Sequence, residues 1–245
     1  IYFPKALETV KALGSVRIPM STDTFEVTTF REDDDKSDGR HPESIKYSTR
    51  EKDAIRRDFT VNALYFNPIS KELYDPCGGV ADLHERLIAF IGDPTTRIKQ
   101  DALRLLRAVR FRALLNGQYH PDTYAALRSL ASLVETLSGT RQLEEIEKIL
   151  LGPHPDIAFE DLREIGILER FLPELSKCRG IPQPVQYHTE GDVWEHMQCV
   201  LRALREEDKI DVRIAALFHD CGKAETFSLK ERIRFDHHAS VSAEL

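Results

Sequence analysis

At 245 residues the chain is long enough for two compact units, because a single core rarely organises more than about 250 residues and about 100–150 is usual. Apolar residues at 41% and charged residues at 31% are the proportions of an ordinary globular protein, and no run approaches the roughly 18 apolar residues of a membrane span, which argues against a membrane role. A net charge of −7 would count against binding nucleic acid, but affinity for phosphates depends on where the cations sit, and Lys99, Arg104, Arg107, Arg110 and Arg112 cluster against the single acid Asp101.

The opening IYFPKALETV lacks the basic flank, apolar stretch and small-residue cleavage site of a secretion signal, and reads as the middle of a longer chain. SVRIPM and TFEVTTF, rich in β-branched and aromatic residues and separated by the turn-prone STD, predict a hairpin. REDDDKSDGRHP predicts an exposed loop, and VNALYFN a further strand that leads through Pro68 to KELYDPCGG. After Gly92, TTRIKQDALRLLRAVRFRALLN predicts one helix, with Ala102, Leu105, Leu106, Val109 and Ala113 forming an apolar stripe. Further helices are expected over Asp122–Leu137 and RQLEEIEKILL, the latter stopped by Gly152 and Pro153, and the pattern from Asp156 to Leu245 is again helical. Cys77, Cys178, Cys199 and Cys221 form no CxxC pair, which points away from a zinc ribbon or disulfide framework and toward a reducing, cytoplasmic location.

On the predicted Lys99–Arg112 helix, Asp101, Arg104, Arg107 and Arg110 recur every third residue and would form one polar ridge. Asp101 and Arg104 together offer acceptors and a planar fork of donors, the combination needed to hydrogen-bond the edge of a nucleobase, and Arg107 and Arg110 would bring charge to a triphosphate. The competing reading is an i, i+3 ion pair on a solvated face, worth a few tenths of a kcal/mol. A second polar knot, Arg56, Arg57 and Asp58 just before the predicted strand, suits phosphates and a ribose hydroxyl, or is a charged loop capping that strand.

IRRDFTVNALYF, DPCGGVADLHERLIAFIGDP and QDALRLLRAVRFRA resemble, in that order, successive motifs of the class II tRNA nucleotidyltransferase and bacterial poly(A) polymerase family. FEVTTFR, SDGRHP and RQLEEIEKIL extend the resemblance over Gly14 to about Leu151. It implies template-independent addition of C and A nucleotides from CTP and ATP to the 3′ end of tRNA, with Mg²⁺ as the cofactor. Arg57 and Asp58 would then contact the phosphates and ribose. Asp101 and Arg104 match the aspartate and arginine of the family's EDxxR motif and would pair with the base, Arg107 and Arg110 would continue the nucleotide-binding ridge, and Gln100 stands where the motif has glutamate. Arg141 and Glu145 match a pair that braces the helical neck. The family's Gly-Gly and Arg-Asp loop and its D-x-D strand, which holds two Mg²⁺ ions, do not occur upstream of Gly14. The resemblance therefore implies that these residues cannot catalyse alone, and leaves Glu26 as the candidate catalytic carboxylate, against the reading of a half-exposed strand residue.

WEHMQCVL and VRIAALFHDCGK carry His196 and the His219–Asp220 doublet, with His238 further on. Adjacent His and Asp at a helix end can reach one metal, with a distant His completing the set. The order H…HD resembles the HD phosphohydrolase superfamily, in which His196, His219 and Asp220 would hold a divalent metal with a later Asp beyond Leu245. A body that merely holds tRNA is the alternative, and His188 and His237 stay unassigned.

The expected architecture is α+β: a partial nucleotidyltransferase head over 1–98 (mixed sheet plus helices), a helical neck for base recognition over 99–155, and a helical body with a truncated HD domain over 156–245. The rival readings are a poly(A) polymerase of the same family, an HD-type metal-dependent phosphohydrolase with a nucleotide-sensing head, and a non-catalytic tRNA-binding protein.

Overall fold

A computed structural model describes residues 7–10, 15–21, 23–32 and 46–245, so the expected loop REDDDKSDGRHP lies, beyond Glu32, outside the described residues. The fold is α+β, as expected, and the chain divides into two compact units: Ile1–Glu85 with Ala89–Asp101, and Arg86–Ile88 with Ala102–Leu245.

In the first unit β1 (Leu7–Val10), β2 (Ser15–Pro19) and β3 (Thr24–Thr28) form an antiparallel sheet in that order. The predicted hairpin is β2–β3, in register from Ser15↔Thr28 to Pro19↔Thr24. β4 (Arg31–Glu32) pairs with β5 (Lys46–Tyr47), and α1 (Arg50–Arg56) follows. The expected strand VNALYFN is a strand only at β6 (Tyr65–Phe66), which pairs with β7 (Leu73–Tyr74). Its first residues belong to a 3₁₀ turn, Thr60–Asn62. The reason is local: Asp58 Oδ1 accepts from the Phe59 N–H at 2.9 Å and from Asn62 Nδ2 at 2.9 Å, which offers the backbone an alternative to a sheet ladder. α2 (Gly79–His84) opens after Gly78 at φ 77°, and the Asp75 carboxylate accepts the N–H groups of Gly79 and Val80 at 2.8 and 2.9 Å, satisfying donors that a helix start leaves unpaired. α3 (Pro94–Gln100) has Asp93 as N-cap, accepting from Thr96 N at 2.7 Å, with Pro94 in the first turn. Ala54, Phe59, Ala63, Phe90 and Ile98 are buried, with the Phe59 and Phe90 rings 4.7 Å apart.

The second unit begins with β8 (Leu87–Ile88), parallel to β9 (Gln118–Tyr119). Gly117 permits this pairing, since a Cβ there would lie 1.9 Å from the Arg86 carbonyl that accepts the Gln118 N–H at 2.9 Å. α4 (Leu103–Leu115) corrects the sequence expectation of one helix across Lys99–Arg112. Helix α3 stops at Gln100, Asp101 is extended at φ −151° and ψ 109°, and Asp101 does not lie on the helix that carries Arg104, Arg107 and Arg110. An aspartate competes with the backbone for hydrogen bonds inside a helix and is better placed just before a helix N-terminus. The apolar stripe itself is as predicted: Ala102, Leu105, Leu106, Val109 and Ala113 are all buried.

The helix expected over Asp122–Leu137 is α5 (Pro121–Ser129) followed by a 3₁₀ segment, Ala131–Thr136, because Ser129 turns its hydroxyl onto the Ala126 carbonyl at 3.0 Å and Leu130 leaves helical geometry. α6 (Gly139–Leu150) is as predicted. α7 (Pro155–Ile165) ends at Gly166, φ 85°, with Ile167 N–H bonded to the Leu162 carbonyl at 2.8 Å. α8 (Leu168–Phe171), α9 (Pro173–Ser176), α10 (Val193–Arg202), α11 (Ile210–Phe218) and α12 (Lys223–Thr226) complete the helical run. A hairpin then interrupts the expected helical pattern: β10 (Phe227–Leu229) and β11 (Ile233–Phe235), followed by α13 (His238–Glu244). Its signal is a period of two, with Phe227, Leu229, Ile233 and Phe235 on alternate positions.

Helix α4 packs against α6 and α7, and Leu105, Val109, Ile149, Phe159 and Leu162 on these helices are buried. Charged groups are also drawn into this core. Glu145, 1% exposed, accepts from Arg110 Nε at 2.8 Å and Lys148 Nζ at 2.7 Å. Arg213, 3% exposed, donates to the Leu150 and Arg205 carbonyls and to the Asp208 carbonyl at 2.9 Å, closing the end of α6 and the turn before α11. Asp161, beside Tyr119 Oη at 2.7 Å and Arg112 Nε at 3.5 Å, is pushed up to about 6 by burial, against those two partners.

Removing one side of a buried ion pair strands the other, so Glu145→Ala is expected to cost roughly 3 kcal/mol in urea unfolding. Arg170→Ala, which breaks the exposed pair with Glu135, should cost less than about 1 kcal/mol. Asp161 gives a pH signature. Its folded pKa lies above the ordinary 3.8, so over about pH 4–6 the folded chain binds a proton that the unfolded chain has released. The stability this group lends is therefore complete below about pH 4 and lost as pH rises through about 6, by at most about 3 kcal/mol. Asp161→Asn should flatten that slope in a pH series of unfolding curves.

Candidate functional site

In the first unit, α1 spaces Asp53, Arg56 and Arg57 so that both arginines turn back on one buried carboxylate. Arg56 Nε and Nη2 donate to Asp53 Oδ1 at 2.9 and 2.6 Å, and Arg57 Nε and Nη2 donate to Oδ2 at 3.1 and 3.0 Å. Tyr65 Oη donates to Oδ2 at 2.9 Å, and Arg57 Nη1 donates to the Asn62 carbonyl at 3.1 Å. Arg97 of α3 donates to the carbonyls of Arg56 and Arg57 and fixes the turn from behind. Burial works to raise the Asp53 pKa, but the hydrogen bonds from Arg56 and Tyr65 and the two guanidinium charges hold it below the usual carboxylate range. Burial, then the bond to Asp53, pushes the Tyr65 phenol up to about 12. The sequence singled out Arg57 and Asp58 but missed Asp53 and Arg97. The available signal for Asp53 was an acid three and four residues before two arginines in a helix.

The other head residue named from sequence, Glu26, is exposed on β3 directly across from Arg17. It belongs to neither cluster of potential metal-ligating side chains among the described residues. In the second unit Arg104, Arg107 and Arg110 are half-buried on α4. Arg107 and Arg110 lie over the Phe111 ring at 5.3 and 4.4 Å, and Arg110 is also committed to Glu145.

The second unit brings His196, His219 and Asp220 together. A capping box at Asp192 and Glu195 starts α10 and puts His196 just beyond its first turn. Helix α11 ends at Phe218, and His219 and Asp220 continue that turn. His196 Nε2 and His219 Nε2 are 3.4 Å apart, and they lie 3.6 and 3.2 Å from Asp220 Oδ2. Donors bonded at 2.0–2.1 Å to a tetrahedral ion are separated by roughly 3.3 Å, so this spacing fits one divalent cation. The donor chemistry fits as well. His219 Nδ1 faces the Ala216 carbonyl at 2.9 Å and His196 Nδ1 faces Glu190 Oε1 at 2.5 Å, so both rings keep their outer nitrogen for a hydrogen bond and turn the inner one toward the carboxylate. Lys223, 6% exposed, donates to Asp220 Oδ2 and to Gln183 Oε1, both at 2.7 Å, and His238 Nε2 lies 3.5 Å from Asp220 Oδ1. Burial alone would raise the Asp220 pKa, yet the hydrogen bonds from His219 and Lys223 and their charges hold it far below the ordinary value. The bond to Asp220 holds the His219 pKa above its ordinary value, against burial.

Three segments match known families: residues 2–89 the Poly A polymerase head domain, residues 118–178 the "Probable RNA and SrmB- binding site of polymerase A", and residues 185–245 the HD domain. The chain is 36% identical over 191 residues to the multifunctional CCA protein of Pasteurella multocida and 39% identical over 184 residues to that of Tolumonas auensis. These alignments cover 72% and 73% of this chain and 44% of each relative, so the chain spans under half the length of both. Among solved structures, the CCA-adding enzyme of Bacillus stearothermophilus, in complex with CTP, superimposes with a TM-score of 0.68 at 27% identity, covering 99% of this chain and 53% of that one. A head, an RNA-binding segment and an HD domain in this order, with relatives of this identity, place the chain in the tRNA nucleotidyltransferase and poly(A) polymerase family.

Proposed function

We propose that this chain is part of an enzyme that adds C and A nucleotides to the 3′ end of tRNA, the terminal 3′-hydroxyl attacking the α-phosphate of CTP or ATP with pyrophosphate leaving. The observation that carries the reading is the ordered match of head, RNA-binding segment and HD domain, together with likeness to proteins named as multifunctional CCA proteins. Poly(A) polymerase is the rival within the family. Arg57, held by Asp53 and Arg97, and Asp58, held by the Phe59 N–H and Asn62, contact the triphosphate and ribose: a guanidinium locked in place before the ligand arrives loses little freedom on binding. Asp101 and Arg104 select the base, Arg107 and Arg110 add charge, and the bond of Arg110 to Glu145 ties α4 to α6. The head over 1–98, neck over 99–155 and HD body from 156 belong to this proposal.

Mg²⁺ would neutralise the triphosphate, but Glu26 alone, exposed and facing Arg17, does not make a two-ion site, and no step is assigned to it. In the HD cluster the residues fit a cation: His196, His219 and Asp220 would hold a divalent ion, which supplies an activated water for cleaving phosphate esters. Metal-dependent phosphohydrolysis is thus a second reading, carried by the convergence of those donors. No helix among the described residues is long and apolar enough to cross a membrane.

Given tRNA that lacks its C-C-A end, with CTP and ATP, the full-length protein should extend it by C-C-A. A long A tail would favour the polymerase, and phosphate release without extension would contradict transfer. In the same assay Asp101→Ala should lower discrimination between CTP and ATP by about 10–100-fold, as loss of a bidentate base contact does, while triphosphate binding changes little. Unchanged discrimination would remove the base-selecting role. His219→Ala should weaken Mn²⁺ binding, read by calorimetry, by more than about 100-fold, beyond the range of changes outside the ligand set.

A further inference from the structure

The HD cluster has a neighbour that its donor set does not use. Glu190 lies in the turn before α10, and its Oε1 is 2.5 Å from His196 Nδ1 and 3.0 Å from His188 Nδ1. The two rings meet edge to face, with centroids 4.8 Å apart. Gly191 makes this turn possible: at φ 129° a Cβ would fall 1.5 Å from Glu195 Oε2, inside the capping box, so only glycine lets the chain double back and bring Glu190 over the first turn of α10.

We propose that Glu190 is the positioning residue of the HD cluster: by accepting the N–H of His196 Nδ1 it fixes the ring in the tautomer whose Nε2 lone pair faces His219 and Asp220, and His188 donates to the same oxygen and pins it. This rests on the reading of the cluster as a cation site. His219 is treated the same way by a different acceptor, since its Nδ1 faces the Ala216 carbonyl at 2.9 Å. Both imidazoles thus keep Nδ1 for an acceptor outside the cluster and turn Nε2 inward, where a cation would displace the proton that His219 shares with Asp220, and acceptors behind metal-binding histidines raise affinity in this way.

The competing arrangement makes Glu190, His188 and His196 a second cation site, since their donor atoms also lie within 4.8 Å of one another. Two observations oppose it. The 2.5 Å contact between Glu190 and His196 is a charge-assisted hydrogen bond and is too short for two atoms bonded to one ion, which sit roughly 3.3 Å apart. His196 would also have to give up the protons of both nitrogens to bridge two ions, because its Nε2 already faces His219 and Asp220.

The test uses the chain in three forms, wild type, Glu190→Ala and Glu190→Gln, with the fold of each checked by circular dichroism. Long-range ¹H–¹⁵N spectra of the metal-free protein read the tautomer of His196, and calorimetry with Mn²⁺ reads affinity. The proposal expects His196 protonated on Nδ1 in wild type and mixed tautomers in Glu190→Ala. Mn²⁺ affinity should fall about 10–100-fold in Glu190→Ala, and by less than about threefold in Glu190→Gln, whose amide oxygen still accepts the bond. It is overturned if wild-type His196 carries its proton on Nε2, if Glu190→Ala changes neither readout, if Gln is as damaging as Ala, or if a second equivalent of Mn²⁺ binds wild type and is lost in Glu190→Ala. Should wild type take up no Mn²⁺ while the tautomers behave as expected, the cation reading of the cluster fails and the positioning of His196 by Glu190 is supported.

Discussion

A carboxylate withdrawn from water is tolerated only when several cations or N–H donors converge on it, and that constraint organises this molecule. Asp53, Glu145 and Asp220 are each at most 3% exposed. Asp53 gathers two guanidinium groups and a phenol, Glu145 gathers a guanidinium and an ammonium, and Asp220 gathers two imidazoles and an ammonium, with a third imidazole nearby. Each anchor fixes long side chains that would otherwise sample many rotamers, so the charged groups available for function are held before any ligand arrives.

The two units use this constraint to opposite ends. Around Asp53 the partners are guanidinium groups, which stay protonated at any physiological pH and therefore present positive charge and directed donors, the chemistry that receives phosphates. Around Asp220 the partners are mostly imidazoles, whose inner nitrogens can give up a proton and become ligands, the chemistry that receives a cation. One architecture of buried acids thus gathers guanidinium groups in the head and imidazoles in the HD domain.

Much of this was legible in the residues. The stripe on α4, the β2–β3 hairpin and α6 followed from period alone, because packing there agrees with local preference. The departures lie where short polar side chains offer the backbone another partner: Asp58 in the 3₁₀ turn, Ser129 before Leu130, and Asp101 between α3 and α4. The HD cluster could be read because His219 and Asp220 are adjacent and His196 sits in a helical motif. Asp53 left only its spacing to Arg56 and Arg57 as a signal, and Arg97 and Glu190 left none, since what marks them is the partner each meets in space: Arg97 reaches carbonyls some forty residues away, and Glu190 matters through a turn that only Gly191 allows. Likewise the bond of Arg110 to Glu145 spans 35 residues, a partner that the spacing of the arginines along the helix does not indicate.

The claim that Asp220 is the centre of a pre-shaped cation cluster is tested most directly by crystals of the chain soaked in Mn²⁺, with anomalous diffraction measured to locate the ion. The account predicts a single anomalous peak bonded to His196 Nε2, His219 Nε2 and Asp220, with Glu190 still hydrogen-bonded to the far side of His196. A peak bonded to Glu190 and His188, or none near Asp220 at saturating Mn²⁺, would contradict it.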